Sequence, residues 1–342
     1  MTGEHRDVVA VGASAGGVEA LRALVAGLPP DYPGALLVVL HVPRDAPSAL
    51  PRILSRSGPL PAFLAEDGEP VQAGHIYVAP GDHHLLMLDG HLRLSRGPAE
   101  NGHRPAIDPT FRSVARAVGR RAIGVVLSGS RDDGAAGLAA IARRGGTTLV
   151  QDPGDALHAS MPRAALDQLD PDHVAPAAKI GGLIAGITAM ELEPATPPEA
   201  DPVLDAEVAA ADLLPITSDK LAPPAGYGCP NCGGSLFLIE ERPVPRFRCR
   251  VGHAWSPESL LDEQAEALES ALWMALRALE EKAALSHRMA ASRPGRPTGA
   301  RFLAMAEDAA SAGTTLRGLI AQLGSTAHTD HDLLVSDVTD PR

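Results

Sequence analysis

Aromatic side chains make up only 3% of this 342-residue sequence, and the net charge is −12. Few rings are available for stacking on bases, and the charge offers no basic footprint for phosphates. Together these exclude a general nucleic-acid binder. Long apolar runs are missing as well. None approaches the roughly 20 residues that a membrane span needs, so membrane insertion is not expected. The first residues, Met1–Asp7, are polar and lack the charged-then-apolar layout of a signal peptide. Cysteine is scarce. Three is an odd number, whereas secreted disulfide frameworks normally use an even one, so a reducing, cytoplasmic compartment is expected. What is plentiful is glycine (34) and proline (31), which signals many loops rather than one long coiled coil. At 45% apolar residues, the length suffices for two or three domains and a sizeable core.

Short apolar runs at Val8–Val11, Leu36–Leu40, Ile123–Leu127 and Thr147–Val150 alternate with Ala-rich helical stretches. Continuous apolar runs of this kind read as parallel strands buried on both faces. The expected fold class is α/β: a mostly parallel, doubly wound sheet with an antiparallel edge hairpin, then a small Cys3His module and a helical hairpin. The edge hairpin is placed at Leu85–Leu88 and His91–Leu94, around the turn signal Asp89-Gly90. Residues 1–190 form the first expected domain. Residues 191–226, with Pro194, Pro197, Pro198, Pro202, Pro215, Pro223 and Pro224 among acidic residues, read as a linker holding a short helix at Leu204–Leu213. Residues 227–255 carry every cysteine, 256–325 read as two helices, and 326–342 as a tail. Ser256-Pro257 supplies an N-cap and first-turn proline for the first of these helices. Its apolar stripe is read as Leu261, Leu268, Leu272, Ala275, Leu279 and Ala283, a seam for helix packing.

Three polar residues stand at strand ends. Gly12-Ala13-Ser14-Ala15-Gly16 satisfies G-x-S-x-G, in which a tight strand-to-helix turn exposes a serine hydroxyl beside unpaired helix N–H groups. The same letters suit a turn cradling a dinucleotide pyrophosphate, or simple close packing of helix on strand. The second strand ends in His41, where a dinucleotide fold usually carries an acid, and this disfavours a nucleotide-dependent oxidoreductase. A third run ends in Ser128-Gly129-Ser130-Arg131-Asp132-Asp133-Gly134. Hydroxyl, imidazole and carboxylate at the carboxyl ends of neighbouring strands are the parts of an activated serine. Either aspartate alone reads equally well as a helix cap, and spacing does not choose between them.

The chain over residues 7–190 resembles the catalytic domain of the chemotaxis protein-glutamate methylesterases, the CheB family. The matching stretches are Val9 through Gly17, Leu40-His41-Val42-Pro43, Tyr77 through His84, His103-Arg104-Pro105-Ala106-Ile107-Asp108, Leu127-Ser128-Gly129 with Asp133-Gly134, and Met161-Pro162. The resemblance implies Ser14 as nucleophile, His41 as base and Asp133 as the carboxylate. It also implies an oxyanion site around Ala15 and Ser130. The substrate class implied is glutamyl methyl esters on chemoreceptor-like proteins, with glutamine deamidation as a second activity and no cofactor for catalysis. The family often has Thr where Ala15 stands, and commonly Gly-Met-Gly where Gly129-Ser130-Arg131 stands. Full-length relatives carry a receiver domain ahead of the esterase, so a stand-alone form is expected here. The remaining histidines, His75, His83, His84, His91 and His103, lie in the hairpin region or near the cleft and offer no metal-binding spacing; they read as structural, or in part as shaping the substrate groove.

Cys229-x2-Cys232, sixteen residues, then Cys249-x3-His253 supplies three sulfurs and one nitrogen, the set of a tetrahedral structural zinc. A thioredoxin-like redox pair would need a βαβ setting and would leave Cys249 and His253 without a task. Four protein ligands leave no open position for metal catalysis. The Pro-rich stretch is expected to isolate this module from the serine site. The stretch around Cys249–Ala254 also resembles a C-terminal extension found on some stand-alone family members. The alternative to an esterase is an inactive signalling scaffold whose zinc module and helices bind a partner.

Overall fold

Alternate residues of the first strand, β1 (Val8–Ala13), face opposite sides of a sheet. Val9 and Val11 pack with Leu21, Leu24, Leu54, Ile180 and Ile184 in one core, whereas Val8 and Ala10 pack with Phe111, Leu138, Ile141 and Met161 in another. Burial on both faces is why this strand is apolar throughout. The computed structural model describes residues 4–44, 48–194, 199–214, 223–240 and 244–336, with side chains as far as residue 323. The expected linker at 195–198 and 215–222 (with Pro197, Pro198 and Pro215) and the last part of the expected tail, 337–342, lie outside the described residues.

β1 is followed by β2 (Ala35–Leu40), β3 (Ala62–Leu64), β4 (Ile76–Val78), β5 (His84–Leu88), β6 (His91–Ser95), β7 (Ala122–Val126), β8 (Thr147–Gln151) and β9 (His173–Ala175). Seven of these make a parallel sheet in the order β3-β4-β2-β1-β7-β8-β9. Helices α1 (Gly17–Ala26), α2 (Leu50–Ser57) and α6 (Ala177–Ala189) cover one face. Helices α3 (Ile107–Val118), α4 (Ala135–Arg143) and α5 (Ser160–Gln168) cover the other. The expected antiparallel hairpin is β5–β6. It forms a two-stranded sheet of its own, and the backbone N–H of Met87 donates to Ser113 Oγ of α3 at 3.0 Å. The chain leaves β1 for β2 on one side and later returns to β7 on the other, so β1 flanks a topological switch point.

The expected linker helix is α7 (Pro202–Ala211), capped by Asp201 Oδ1, which accepts from Leu204 N at 2.9 Å. Beyond it, β10 (Pro224–Gly228), β11 (Ser235–Ile239), β12 (Arg246–Cys249) and β13 (Ala254–Trp255) make a four-stranded antiparallel sheet. Its small core holds Leu236, Phe247, Leu260 and a wholly buried Trp255.

The Pro-rich segment does not isolate this module, contrary to the expectation from sequence. Met1–Leu260 is one compact unit. Leu204 and Val208 of α7 join the core beneath α3. Glu207 of the same helix accepts from Arg246 Nη2 at 2.5 Å and from Arg248 Nε at 2.6 Å, both on β12. Arg248 Nη2 also reaches Glu100 Oε1 at 2.8 Å, and Arg112 of α3 closes the ring onto Glu100. All five side chains are buried. Composition marked the segment as loop-like, but a single acid on α7 meets two arginines 39 and 41 residues away, a pairing with no local signature.

Residues 261–342 form a second compact unit, comprising most of α8 (Pro257–Ala291) together with α9 (Pro297–Ser336). Leu276 is its buried seam residue on α8, with Leu272, Leu279 and Ala283 partly buried beside it. Leu261, Leu268 and Ala275, read from sequence as part of that stripe, are exposed. Among the described residues no helix is long and apolar enough to cross a membrane.

Burial alone would push the Glu207 carboxyl up, yet Arg246, Arg248 and Arg112 hold it well below the usual carboxylate range. Its contribution to stability is therefore present at neutral pH and is lost as pH falls through that depressed value. Removing one partner of a buried charge group leaves the others uncompensated, at about 3–5 kcal/mol. Glu207→Ala should lower the urea unfolding free energy of the first unit by that order.

Candidate active site

The register of β1 pairs Ala13 with Leu40 and Gly12 with Val126. Ser14, His41 and the turn after β7 therefore emerge together at the carboxyl end of the sheet. Ser14 N donates to Ser128 O at 2.9 Å, and His41 N donates to Ala13 O at 3.2 Å, which extends both ladders by one rung. Gly16 then turns the chain into α1 with φ 69°, and a Cβ there would meet Ser128 Oγ at 2.8 Å. Only glycine combines that backbone with that space. Across the turn, any side chain on Gly129 would collide with Met161 Sδ and the Ser14 side chain. The Ser128 hydroxyl donates to Ala15 O at 2.8 Å, bracing the turn that carries Ser14.

Ser14 Oγ lies 3.1 Å from His41 Nδ1, and His41 Nε2 lies 2.8 Å from Asp133 Oδ2. The structure thus joins three of the residues read from sequence into one hydrogen-bonded chain. The ring is turned so that Nδ1 faces the hydroxyl, opposite to the serine-protease arrangement. With Nε2–H donating to the carboxylate, the Nδ1 lone pair is left to accept from Ser14. Asp133 is buried and its Oδ2 also accepts from Ile107 N at 2.6 Å, at the start of α3. Burial opposes its charge, but the bonds from His41 and Ile107 keep the carboxyl below its ordinary value.

Neither aspartate of the pair caps α4, which was the competing reading of both. The free N–H groups at the start of α4 go to Asp108, whose Oδ1 accepts from Gly134 N at 3.1 Å and Gly137 N at 2.6 Å. Burial, and then the neighbouring Asp133 charge, push the Asp108 carboxyl up to about 7. Asp132 points elsewhere: its Oδ1 accepts from the Ser256 and Ser259 hydroxyls at 2.8 and 2.9 Å. Ala15 follows Ser14 directly, and Ser130 follows Gly129 on the facing turn, exposed to solvent. Arg131 adopts φ 63°, a left-handed backbone that glycine favours.

A model of the CheB methylesterase family matches residues 9–184, about half of the chain. The chain belongs to the CheB methylesterase family. A protein-glutamate methylesterase/protein-glutamine glutaminase from Yersinia pestis is 45% identical over 163 residues, covering 46% of each chain. A second relative so named, from Anaeromyxobacter dehalogenans, is 39% identical over 182 residues, covering 53% of each. The crystal structure of the Thermotoga maritima CheB methylesterase catalytic domain superposes with a TM-score of 0.51 at 32% identity, over 53% of this chain and 97% of that one. The chain spans about half the length of the curated relatives it matches.

Two further residues of the CheB-type domain surround the chain of hydrogen bonds: His103, which the sequence reading gave no role in the triad, and Asn101, which it did not name. The His103 ring stacks on His41, with centroids 3.7 Å apart and planes at 14°. Asn101 Nδ2 donates to Asp133 Oδ1 at 3.0 Å and to Asp108 Oδ2 at 3.2 Å. His103 sits in the His103–Asp108 stretch that carried the family resemblance, so a signal existed. Asn101 had none, because an asparagine between two loop residues has no pattern of its own.

In the C-terminal module, Cys229, Cys232, Cys249 and His253 bring their ligand atoms within 4.8 Å of one another. Cys232 and Cys249 sulfurs are 3.7 Å apart, and Cys249 Sγ lies 3.5 Å from His253 Nδ1. Tetrahedral bonds of about 2.3 Å to sulfur and about 2.0–2.1 Å to nitrogen place such atoms at about 3.8 and 3.6 Å. The set therefore fits a four-coordinate metal and is too open for a disulfide.

Burial, reinforced by the neighbouring His41, lowers the His103 imidazole to about 4. Between about 6.5 and about 4 the unfolded chain takes up a proton that the folded chain refuses. Stability is complete above that window and is lost as pH falls through it, by about 3 kcal/mol from His103. His84, lowered by complete burial, acts in the same direction. The melting temperature should fall between pH 7 and pH 4.5, and His103→Gln should flatten that slope.

Proposed function

We propose that the protein is a protein-glutamate methylesterase that hydrolyses glutamyl methyl esters on chemoreceptor-like proteins. The observation that carries this reading is the Ser14–His41–Asp133 chain at the carboxyl ends of β1, β2 and β7. Membership of the CheB methylesterase family and the activity for which its relatives are named support the substrate class. His41 Nδ1 takes the proton of Ser14 Oγ as the oxygen attacks the ester carbonyl. The new imidazolium is held by Asp133. The tetrahedral oxyanion is received by backbone N–H groups of Ala15 and Ser130, with the N-terminus of α1 behind them. His41 then gives its proton to the departing methoxide, and methanol leaves. Water, deprotonated by the same imidazole, attacks the acyl-serine and frees the glutamate side chain. A glutamine amide can follow the same path with ammonia as the leaving group. No step requires a cofactor.

The Cys229, Cys232, Cys249 and His253 set holds a zinc ion in this reading. Its ligand shell is complete, so the ion fixes the two knuckles and supplies folding energy rather than chemistry. A cytoplasmic site of action fits cysteines that form no disulfide and the receptor substrate. A further signalling partner through the C-terminal helices is compatible with their exposed Trp273, Met274 and Leu303.

Methanol release from a methylated receptor fragment is the direct assay. Ser14→Ala should reduce it by about a thousandfold or more, and His41→Ala and Asp133→Asn by similar orders, because such groups act as a unit. Near-normal release by the Ser14 variant would end this reading. Separately, elemental analysis should find one zinc per chain, and Cys232→Ser should lose it.

A further inference from the structure

The loop Glu100–Pro105 carries Asn101, which bonds both the C-terminal module and Asp133, and the pair Glu100 and His103, which links Arg248 of the module to His41. We propose that this loop is a saddle through which the module positions His41 and Asp133, with Asn101 as the positioning residue. The proposal rests on the ester-hydrolase reading above and extends it to groups that touch no reacting atom.

Asn101 is gripped from the module side. Its N–H donates to Ala254 O at 2.8 Å, and its Oδ1 accepts from Ser256 N at 2.9 Å. A backbone N–H can only donate, so the amide oxygen must face the module and the NH2 must face the carboxylates. That orientation aims one N–H at Asp133 Oδ1 and one at Asp108 Oδ2. It fixes the rotation of the Asp133 carboxylate, and with it the aim of Oδ2 at His41. It also separates two buried acids that otherwise repel. The residue holds φ 50°, a left-handed backbone, under these four bonds.

The second tie runs to the imidazole. Arg248 of β12 binds Glu100, and Glu100 pairs with His103 through N–H···O bonds of 3.1 and 2.8 Å. His103 in turn forms the stacking floor under His41. A third tie is the pair Ser256 and Ser259, whose hydroxyls hold Asp132, the residue before Asp133. Ser256 does this while capping α8, since Ser259 N donates to its Oγ at 3.1 Å. Asp133 and His103 face His41 directly, with Asp108, Asp132 and Arg131 around them.

The full chain is assayed with p-nitrophenyl acetate, and Ser14 is titrated with a fluorophosphonate so that rates are expressed per active site. Asn101→Ala should lower kcat by about a hundredfold, the scale of a misplaced catalytic group, with KM within about twofold. The acid limb of its pH–rate profile should also move, which loss of folded protein does not produce. Ser256→Ala combined with Ser259→Ala, which spares the Ser256 N–H, should lower kcat about tenfold with zinc retained. Wild-type kcat and pH profile in both variants would overturn the proposal. If Asn101→Ala does not fold, the serine pair decides alone, and wild-type behaviour there overturns it. A wild-type chain that neither hydrolyses the ester nor labels at Ser14 brings down the esterase reading instead, and this proposal with it.

Discussion

The parallel register of β1 between β2 and β7 is the constraint on which the site depends. Pairing Ala13 with Leu40 and Gly12 with Val126 ends three strands within one residue of each other. A hydroxyl from the first, an imidazole from the second and a carboxylate from the loop after the third then need only short turns to meet. A one-residue slip would invert every side chain of β1 between the two cores. The two apolar cores that fill the sheet's faces therefore also fix the geometry of the candidate site.

Charge is concentrated behind that rim to a degree unusual for a protein interior. Asp108, Asp132 and Asp133 lie on α3 and the turn before α4, and Glu100 and Glu207 lie with Arg112, Arg246 and Arg248 a little deeper. Their fates differ according to their partners. Asp133 stays ionised because its donors outweigh burial, whereas Asp108, beside it, is driven upward by burial and by Asp133. Two adjacent acids are thereby given opposite protonation tendencies. The arginines of the cysteine module complete the balance for the glutamates, so the module is fastened to the domain electrostatically as well as by packing.

Much of this was legible in the sequence because it is written in short range. Strand ends, the G-x-S-x-G turn and the cysteine spacing are all local patterns, and Ser14 and His41 stand at positions that a strand reading alone locates. The choice of Asp133 over Asp132 was not local and came from family resemblance; of the two, Asp133 is the one hydrogen-bonded to His41. What could not be read was whatever depends on chain crossing. Glu207 lies in a stretch whose prolines read as a linker, and its partners are on another element. Asn101 and Ser256 are 155 residues apart and meet through a backbone N–H, which no side-chain pattern encodes. The apolar stripe on α8 was partly misread for a related reason: Leu261 and Leu268 have the period but no covering partner among the described side chains.

The two tryptophans occupy opposite surroundings. Trp255 is sealed in the core of the cysteine module, whereas Trp273 is half open to water on α8. With only two such indoles in the chain, the molecule carries its own optical label. Blue-shifted, iodide-resistant emission arises from the first and red-shifted, quenchable emission from the second. The state of the module that leans on the serine site can thus be followed by intrinsic fluorescence, in real time and without attaching a dye.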